Sequence, residues 1–269
     1  GLCRIPLPSG ASGGSVGRFA KATSLSLSAD GSVLSVGLAD RVVRLRWPSG
    51  EVFDEWEIPM GVVQVASDPT GEVVVAASDG RVWMSGVDTA TGWGAHDVHQ
   101  RRVVAVARFG ARVVSVDAGG QALSLDVRTE NGRLQSGLSD VSAVAFEPGG
   151  SAVVLAQTDG TVLRWALEET DSIASLFRVD GPVTALAVSE DEVLVAHGSV
   201  TAWSREKGSR TVFVAHRGRS VGLGLDEQGR VWSAARGEGL VGLSDGHSTP
   251  PPWVGHRSGV RAVLPHRGG

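Results

Sequence analysis

An all-β fold assembled from one repeated module is predicted by three observations. First, a short apolar strand, a turn, a second strand and a third recur along the chain. Their starts fall at Ala22, Val62, Val103, Val141, Val183, Ser220 and Val260, about 40 residues apart. Second, apolar residues alternate with period two inside each unit, as at Leu25 and Leu27, Val144 and Phe146, and Leu223 and Leu225. With valine dominant, this is the pattern of strands. Third, Gly and Asp cut the runs after about six residues, too soon for helices. A weaker fourth strand follows the third, at 52–58, 174–179 and 211–214. Four short antiparallel strands per unit make a blade, and the repeat predicts a seven-bladed β-propeller of four-stranded antiparallel blades. A β-sandwich also spaces its strands closely but requires no such self-similarity.

The units follow in order. Residues 1–10 align with 41–50, matching Arg4 to Arg44, Pro8 to Pro48, Ser9 to Ser49 and Gly10 to Gly50. The chain is therefore expected to open on a third strand, with a fourth at 16–19. In the second unit, 62–65 leads to a turn at Asp68–Gly71, strand 73–77, a turn at Asp79–Gly80 and strand 81–83. The fourth unit repeats this with 141–146, a turn at Glu147–Gly150, strand 152–156, a turn at Asp159–Gly160 and strand 161–165. Residues 260–264 read as a first strand. The seventh blade is thus expected to be shared between the N- and C-termini, which hides both edge strands. It falls short by about nine residues, the length of one strand b, so it is expected to lack that strand. Residues 1–269 read as a single domain, expected to be a segment of a longer chain.

These units resemble the WD40-repeat family. Gly255-His256, Ala215-His216 and His99 stand where that family opens its repeat. Asp40, Asp79, Asp159 and Asp117 match its turn aspartate, and Trp47, Trp165 and Trp203 its strand-c tryptophan. No Trp-Asp dipeptide occurs, and no unit carries the His, Asp and Trp together. The family's buried His–Ser/Thr–Asp–Trp network is therefore expected to be incomplete in every blade. Where a member is missing, the aspartate is expected to bond nearby turn amides instead. The resemblance also implies that the d–a and b–c connections share one face, on which partners dock.

Composition narrows the function. The chain has 25 Lys+Arg against 29 Asp+Glu, a net charge of -4, which predicts neither a nucleic-acid nor a membrane partner. Cys3 is the single cysteine, which excludes an internal disulfide and a cysteine metal site. No apolar run approaches the ~18 residues of a membrane span, and no leader opens the sequence, so a cytoplasmic location is expected. Only Lys21 and Lys207 among the basic residues are lysines, Asn131 is the single asparagine, and tyrosine is absent. That bias suggests a GC-rich bacterial genome, in the manner of actinobacteria.

No catalytic constellation emerges. Of seven histidines, His96 and His99 have a metal-like spacing but are expected in a d–a connection, where no helix places them together. Asp54, Glu55 and Glu57 read as a solvated edge. Glu168, Glu169 and Asp171 read as a solvated turn. The Asp88–Trp93 segment resembles a docking segment of quinoprotein propellers, but occurs once. Gly222 and Gly224 sit inside a strand, so they form no phosphate loop. The chain is therefore expected to be no enzyme and to need no cofactor or metal.

What remains is a binding surface. The d–a loops carry Arg101, Arg102, Arg217, Arg219 and Arg257, flanked by Trp93 and Trp253, the latter stiffened by Pro250–Pro252. Arginine forks onto carboxylates, and arginine and tryptophan are over-used at interfaces. Trp56 and Trp232 are expected to fill gaps between blades. The expected function is non-catalytic recognition of a protein or peptide, acidic in character, by a monomeric domain. The alternative is an enzymatic propeller, hydrolase or quinoprotein-like, with its centre in the central funnel.

Overall fold

The computed structural model describes residues 22–28, 30–86, 92–167, 172–204, 206–212, 220–225, 230–235, 240–244 and 253–254. These residues form six four-stranded antiparallel sheets, each a meander in chain order. The first contains β1 (Ser24–Leu27), β2 (Val33–Gly37), β3 (Arg41–Arg46) and β4 (Glu51–Glu57). The second contains β5 (Val62–Ser67), β6 (Val73–Ala77), β7 (Arg81–Ser85) and β8 (Trp93–Asp97). The third contains β9 (Val103–Phe109), β10 (Arg112–Asp117), β11 (Ala122–Asp126) and β12 (Asn131–Gln135). The fourth contains β13 (Val141–Phe146), β14 (Ala152–Gln157), β15 (Thr161–Ala166) and β16 (Ile173–Arg178). The fifth contains β17 (Ala185–Val188), β18 (Val193–Ala196), β19 (Val200–Ser204) and β20 (Gly208–Val212). The sixth contains β21 (Ser220–Leu225), β22 (Val231–Ala235), β23 (Leu240–Ser244) and β24 (Trp253–Val254).

The first strands β1, β5, β9, β13, β17 and β21 pack on one another in succession. The sheets therefore stand side by side like blades, with the first strand of each innermost. Strand starts follow the sequence repeat closely. Two begin later than expected, at Ser24 and Ala185 rather than Ala22 and Val183. In both, a threonine just ahead, Thr23 or Thr184, bonds the second strand twice: its amide donates to the carbonyl of Gly37 or Ala196 at 2.8 Å, and its hydroxyl donates to the same carbonyl at 3.2 Å. Four other first strands shift register just after their first residue, between Val62 and Gln64, Val141 and Ala143, Ser220 and Gly222, and opposite Val116/Asp117 in β9. A bulge at this point bends the strand as it enters the ring. The seventh blade expected from 260–264, 1–10 and 16–19 lies outside the described residues.

Between sheets the core is apolar and small. Val42, Val62, Val65, Val73 and Val75 fill the first interface, Val74, Met84, Val106 and Val113 the second, and Ala105, Val114, Leu155 and Trp165 the third. Most are fully buried, each worth about 1.5–3 kcal/mol for the larger side chains. Gly37 marks a close approach of the first two sheets. A Cβ there would lie 2.9 Å from Val62 Cγ1, so the alternating stripe is interrupted where the second sheet presses in.

Polar side chains stitch the sheets where the core ends. The innermost strand has one edge with no further strand to pair. Ser24 Oγ accepts from the amide of Val65 at 3.2 Å, Ser26 Oγ from Ser67 at 2.8 Å, and Gln64 Oε1 from Val106 at 3.1 Å. Arginines close the a–b side. Arg44 donates to Gly71 O at 2.7 Å, Arg112 to Gly150 O at 3.2 Å and Arg133 to Leu167 O at 2.9 Å, each on the next sheet. Arg108 reaches back to Val73 O at 3.0 Å and Ser85 O at 2.8 Å. It is buried with Asp68, 3.7 Å away. Burial pushes its guanidinium pKa below the ordinary value, against the opposing charges of Asp68 and Glu72.

The b–c turns repeat one device. Gly80, Gly120 and Gly160 have φ of +95°, +78° and +92°, and a Cβ on any of them would collide with the carbonyl of His99, Leu138 or Val179 in the outgoing connection. Gly137, at φ +82°, faces open space. Gly120→Ala is therefore expected to cost about 2 kcal/mol or more, from the left-handed backbone plus the collision. Gly137→Ala should cost about 1 kcal/mol from backbone strain alone. Equilibrium urea unfolding of both variants checks the difference. Arg108→Met should cost about 3 kcal/mol, because it leaves Asp68 buried without its counter-charge. Adding Asp68→Asn should recover part of that loss on the same unfolding curves.

Candidate functional site

The sheet-to-sheet connections and the b–c turns meet on one face. The amides of Ile58, His99, Leu138 and Val179 donate to the carbonyls of Asp40, Gly80, Gly120 and Gly160 at 2.7, 3.2, 3.2 and 3.0 Å. This is one bond repeated in four successive sheets. It fixes each connection to the turn beneath it, so side chains on this face stand on a pinned backbone.

The turn aspartates behave largely as expected. Asp79 Oδ1 accepts from the amide of Arg81 at 3.1 Å, and Asp159 Oδ1 from Thr161 at 2.9 Å. Asp117 Oδ1 accepts from Gly119 at 2.8 Å and Gln121 at 3.0 Å. Asp40 differs, pairing with Arg41. In the third sheet the buried network is nearly complete. His99 Nε2 lies 2.8 Å from Ser115 Oγ, and its Nδ1 3.6 Å from Asp117 Oδ2. Strand c offers Leu123 opposite Ser115, and no tryptophan. Burial lowers the imidazole pKa, against the pull of Asp117. His96 lies within β8 rather than in the connection, so it does not join His99. In the fifth sheet His197 spans Thr201 Oγ1 at 2.8 Å and the carbonyl of Asp180 at 3.0 Å, bracing a turn without an aspartate.

Charges on this face are mostly paired. Arg41 binds Asp40 and Glu55, Arg81 binds Asp97 and Asp79, and Arg178 approaches Asp159. Arg101 and Arg102 are both exposed, and among the described residues neither pairs with a carboxylate. Their backbone is held, since Arg102 O accepts from the amide of Ala118 at 2.9 Å. In the neighbouring connection Met60 is 55% exposed. Met60 stands between Ile58-Pro59 and Gly61-Val62, so nothing in the local pattern sets it apart, and no sequence expectation named it.

One expected site residue stands elsewhere. Trp93 begins β8 on the c–d side of the second sheet and is buried. It stacks on Trp56 with ring centroids 6.1 Å apart and donates from Nε1 to Asp54 Oδ2 at 3.3 Å. It therefore joins the blade interface, with Trp56, and is no part of the face. Asp54 is likewise no solvated edge. Paired opposite Arg44 and on the same face of β4 as Trp56, it is turned toward the second sheet, 3.1 Å from Arg44. Trp253 lies in β24. Arg217, Arg219 and Arg257 lie outside the described residues, as do Glu168, Glu169, Asp171 and the segment 87–91. Among the described residues no three His, Cys, Asp or Glu are placed to hold a metal ion.

Comparison with solved structures bears on the class. A chain of the crystal structure of a mitotic checkpoint complex matches with a TM-score of 0.75 and 18% identity, over 90% of this chain and 82% of that one. With the meandering four-stranded sheets, this defines a WD40-like β-propeller fold. In all, 1686 solved chains match, so the fold by itself does not choose a function. No protein-family model matches the sequence, and no curated protein does.

The buried His99 gives this face a pH dependence. The folded state holds the imidazole neutral, whereas the unfolded chain takes up a proton near the ordinary value of 6.5. The stability His99 contributes is therefore present above that pH and lost as pH falls through it toward the lowered folded value. Denaturation midpoints between pH 7.5 and pH 5 should fall, and His99→Gln should flatten that fall. An unchanged slope in the variant would locate the titration elsewhere.

Proposed function

We propose that this chain is a non-catalytic protein-recognition scaffold, a seven-bladed WD40-like propeller that binds an acidic protein or peptide on its d–a/b–c face. One observation carries the reading: exposed Met60, Arg101 and Arg102 stand on a backbone pinned to the turns below. A platform held this way loses little conformational entropy on binding. The fold likeness to a chain from a protein complex supports the same class. The domain acts as a monomer and needs no cofactor in this reading.

Two features support a seventh blade. Leu34, Val36, Val43 and Leu45 lie on the face of the first sheet turned away from the second, and all are buried. Trp232 and Ala234 lie on the face of the sixth sheet turned away from the fifth, and are buried too. β21 and β1 do not pack together as successive first strands do. A blade between them accounts for both buried faces.

Arg102→Glu combined with Arg219→Glu is expected to abolish retention of the native partner in affinity capture, at an unchanged thermal midpoint. Capture that survives both reversals would place recognition on another surface.

A further inference from the structure

Met60 and Arg101 flank the same turn. The amide of Ser78 donates to Gly61 O at 3.1 Å, and the Ser78 hydroxyl donates to Met60 O. At the other end of that turn, a Cβ on Gly80 would lie 3.0 Å from Arg101 O. An exposed thioether and two exposed guanidinium groups are thus separated by one b–c turn, 78–80. The acid of that turn is already engaged, because Asp79 caps the Arg81 amide and lies 3.6 Å from its guanidinium. The positive charge of Arg101 and Arg102 is therefore not cancelled from this side.

Gly119 sets the direction of Arg101. A Cβ at 119 would lie 3.0 Å from Arg101 Cδ, 3.1 Å from its Nη1 and 3.2 Å from Asp117 Oδ1. The arginine lies across the space that a side chain at 119 would fill. Asp117 holds the Gly119 amide at 2.8 Å, so the glycine and the arginine above it are both placed by the buried network of the third sheet.

We propose that Met60, Arg101 and Arg102 form a bipartite subsite for an acidic peptide. A carboxylate forks onto the two arginines, and a neighbouring apolar side chain packs on Met60, with Gly119 as a positioning residue. The proposal rests on the scaffold reading above and names the chemistry of its ligand. Carboxylates complement two exposed guanidinium groups that make no ion pair among the described residues, the buried Asp117 lying beneath Arg101, and methionine accommodates varied apolar partners.

Selection of a random linear-peptide display library on the intact chain tests it. Enriched sequences are expected to place Asp or Glu within a few residues of a large apolar residue. A synthetic peptide from that set should bind about tenfold or more weakly to the Arg101→Glu, Arg102→Glu chain. Met60→Ser should weaken it several-fold at an unchanged thermal midpoint, and Gly119→Ala should weaken it several-fold in the wild-type background but add no further loss to Arg101→Glu. Replacing the peptide's acid by lysine should restore binding to the charge-reversed chain. Enriched peptides that bind wild type and charge-reversed chain alike would overturn this subsite and leave the scaffold reading standing. No enrichment at all would overturn both.

Discussion

The inner edge of each sheet is the constraint on which the rest depends. A four-stranded meander leaves its first strand with a row of backbone amides facing no further strand, and a buried amide without a partner is costly. Serine and glutamine side chains of the neighbouring sheet meet that demand at Val65, Ser67 and Val106. A side chain can do this only if the two first strands lie close and in register. The small residues of the interface, Gly37 above all, permit that approach. Hydrogen bonding and packing therefore select the same arrangement, and the ring geometry follows from both.

Arginine takes two roles, stapling sheets and pairing with acids. On the a–b side Arg44, Arg108, Arg112 and Arg133 donate to backbone carbonyls across sheet boundaries. A guanidinium suits this because its donors are fixed in a plane and reach several carbonyls at once. On the d–a side Arg41 and Arg81 are tied to acids of their own sheet, while Arg101 and Arg102 project outward. Among the described residues, the brace that the resemblance to WD40 repeats led one to expect is nearly complete at His99, Ser115 and Asp117 of the third sheet. Elsewhere the arginines and the glycine turns carry the load between sheets.

Much of this was legible in the sequence. The recurrence of Asp-Gly turns and valine strands located the first three strands of the described sheets to within about two residues, because alternation and turn chemistry act locally, while the fourth strand expected at 211–214 begins at Gly208. Arg101 and Arg102 were legible as loop charges for the same reason. Trp93 was not, since alternation does not say at which end of a blade a residue lies or whether a neighbouring sheet covers it. For Asp54, alternation rightly sets it opposite Glu55 and Glu57 but does not say that the second sheet covers that face. Met60 carries no local signal, and its exposure depends on where the connection crosses the turn. The arginine staples were equally hidden, since their acceptors are main-chain atoms of the adjacent sheet.

Native-state hydrogen exchange at the amides of Val65, Ser67 and Val106 tests the central claim most directly. If neighbouring side chains satisfy the inner edges, these amides exchange as slowly as those of the adjoining β-ladders. Ser26→Ala should then accelerate Ser67, and Gln64→Leu should accelerate Val106, each leaving ladder amides on the far sheets unchanged. Rapid exchange of all three in the wild-type chain would contradict the account, because the sheets would then be held in place by something other than the contacts between their first strands.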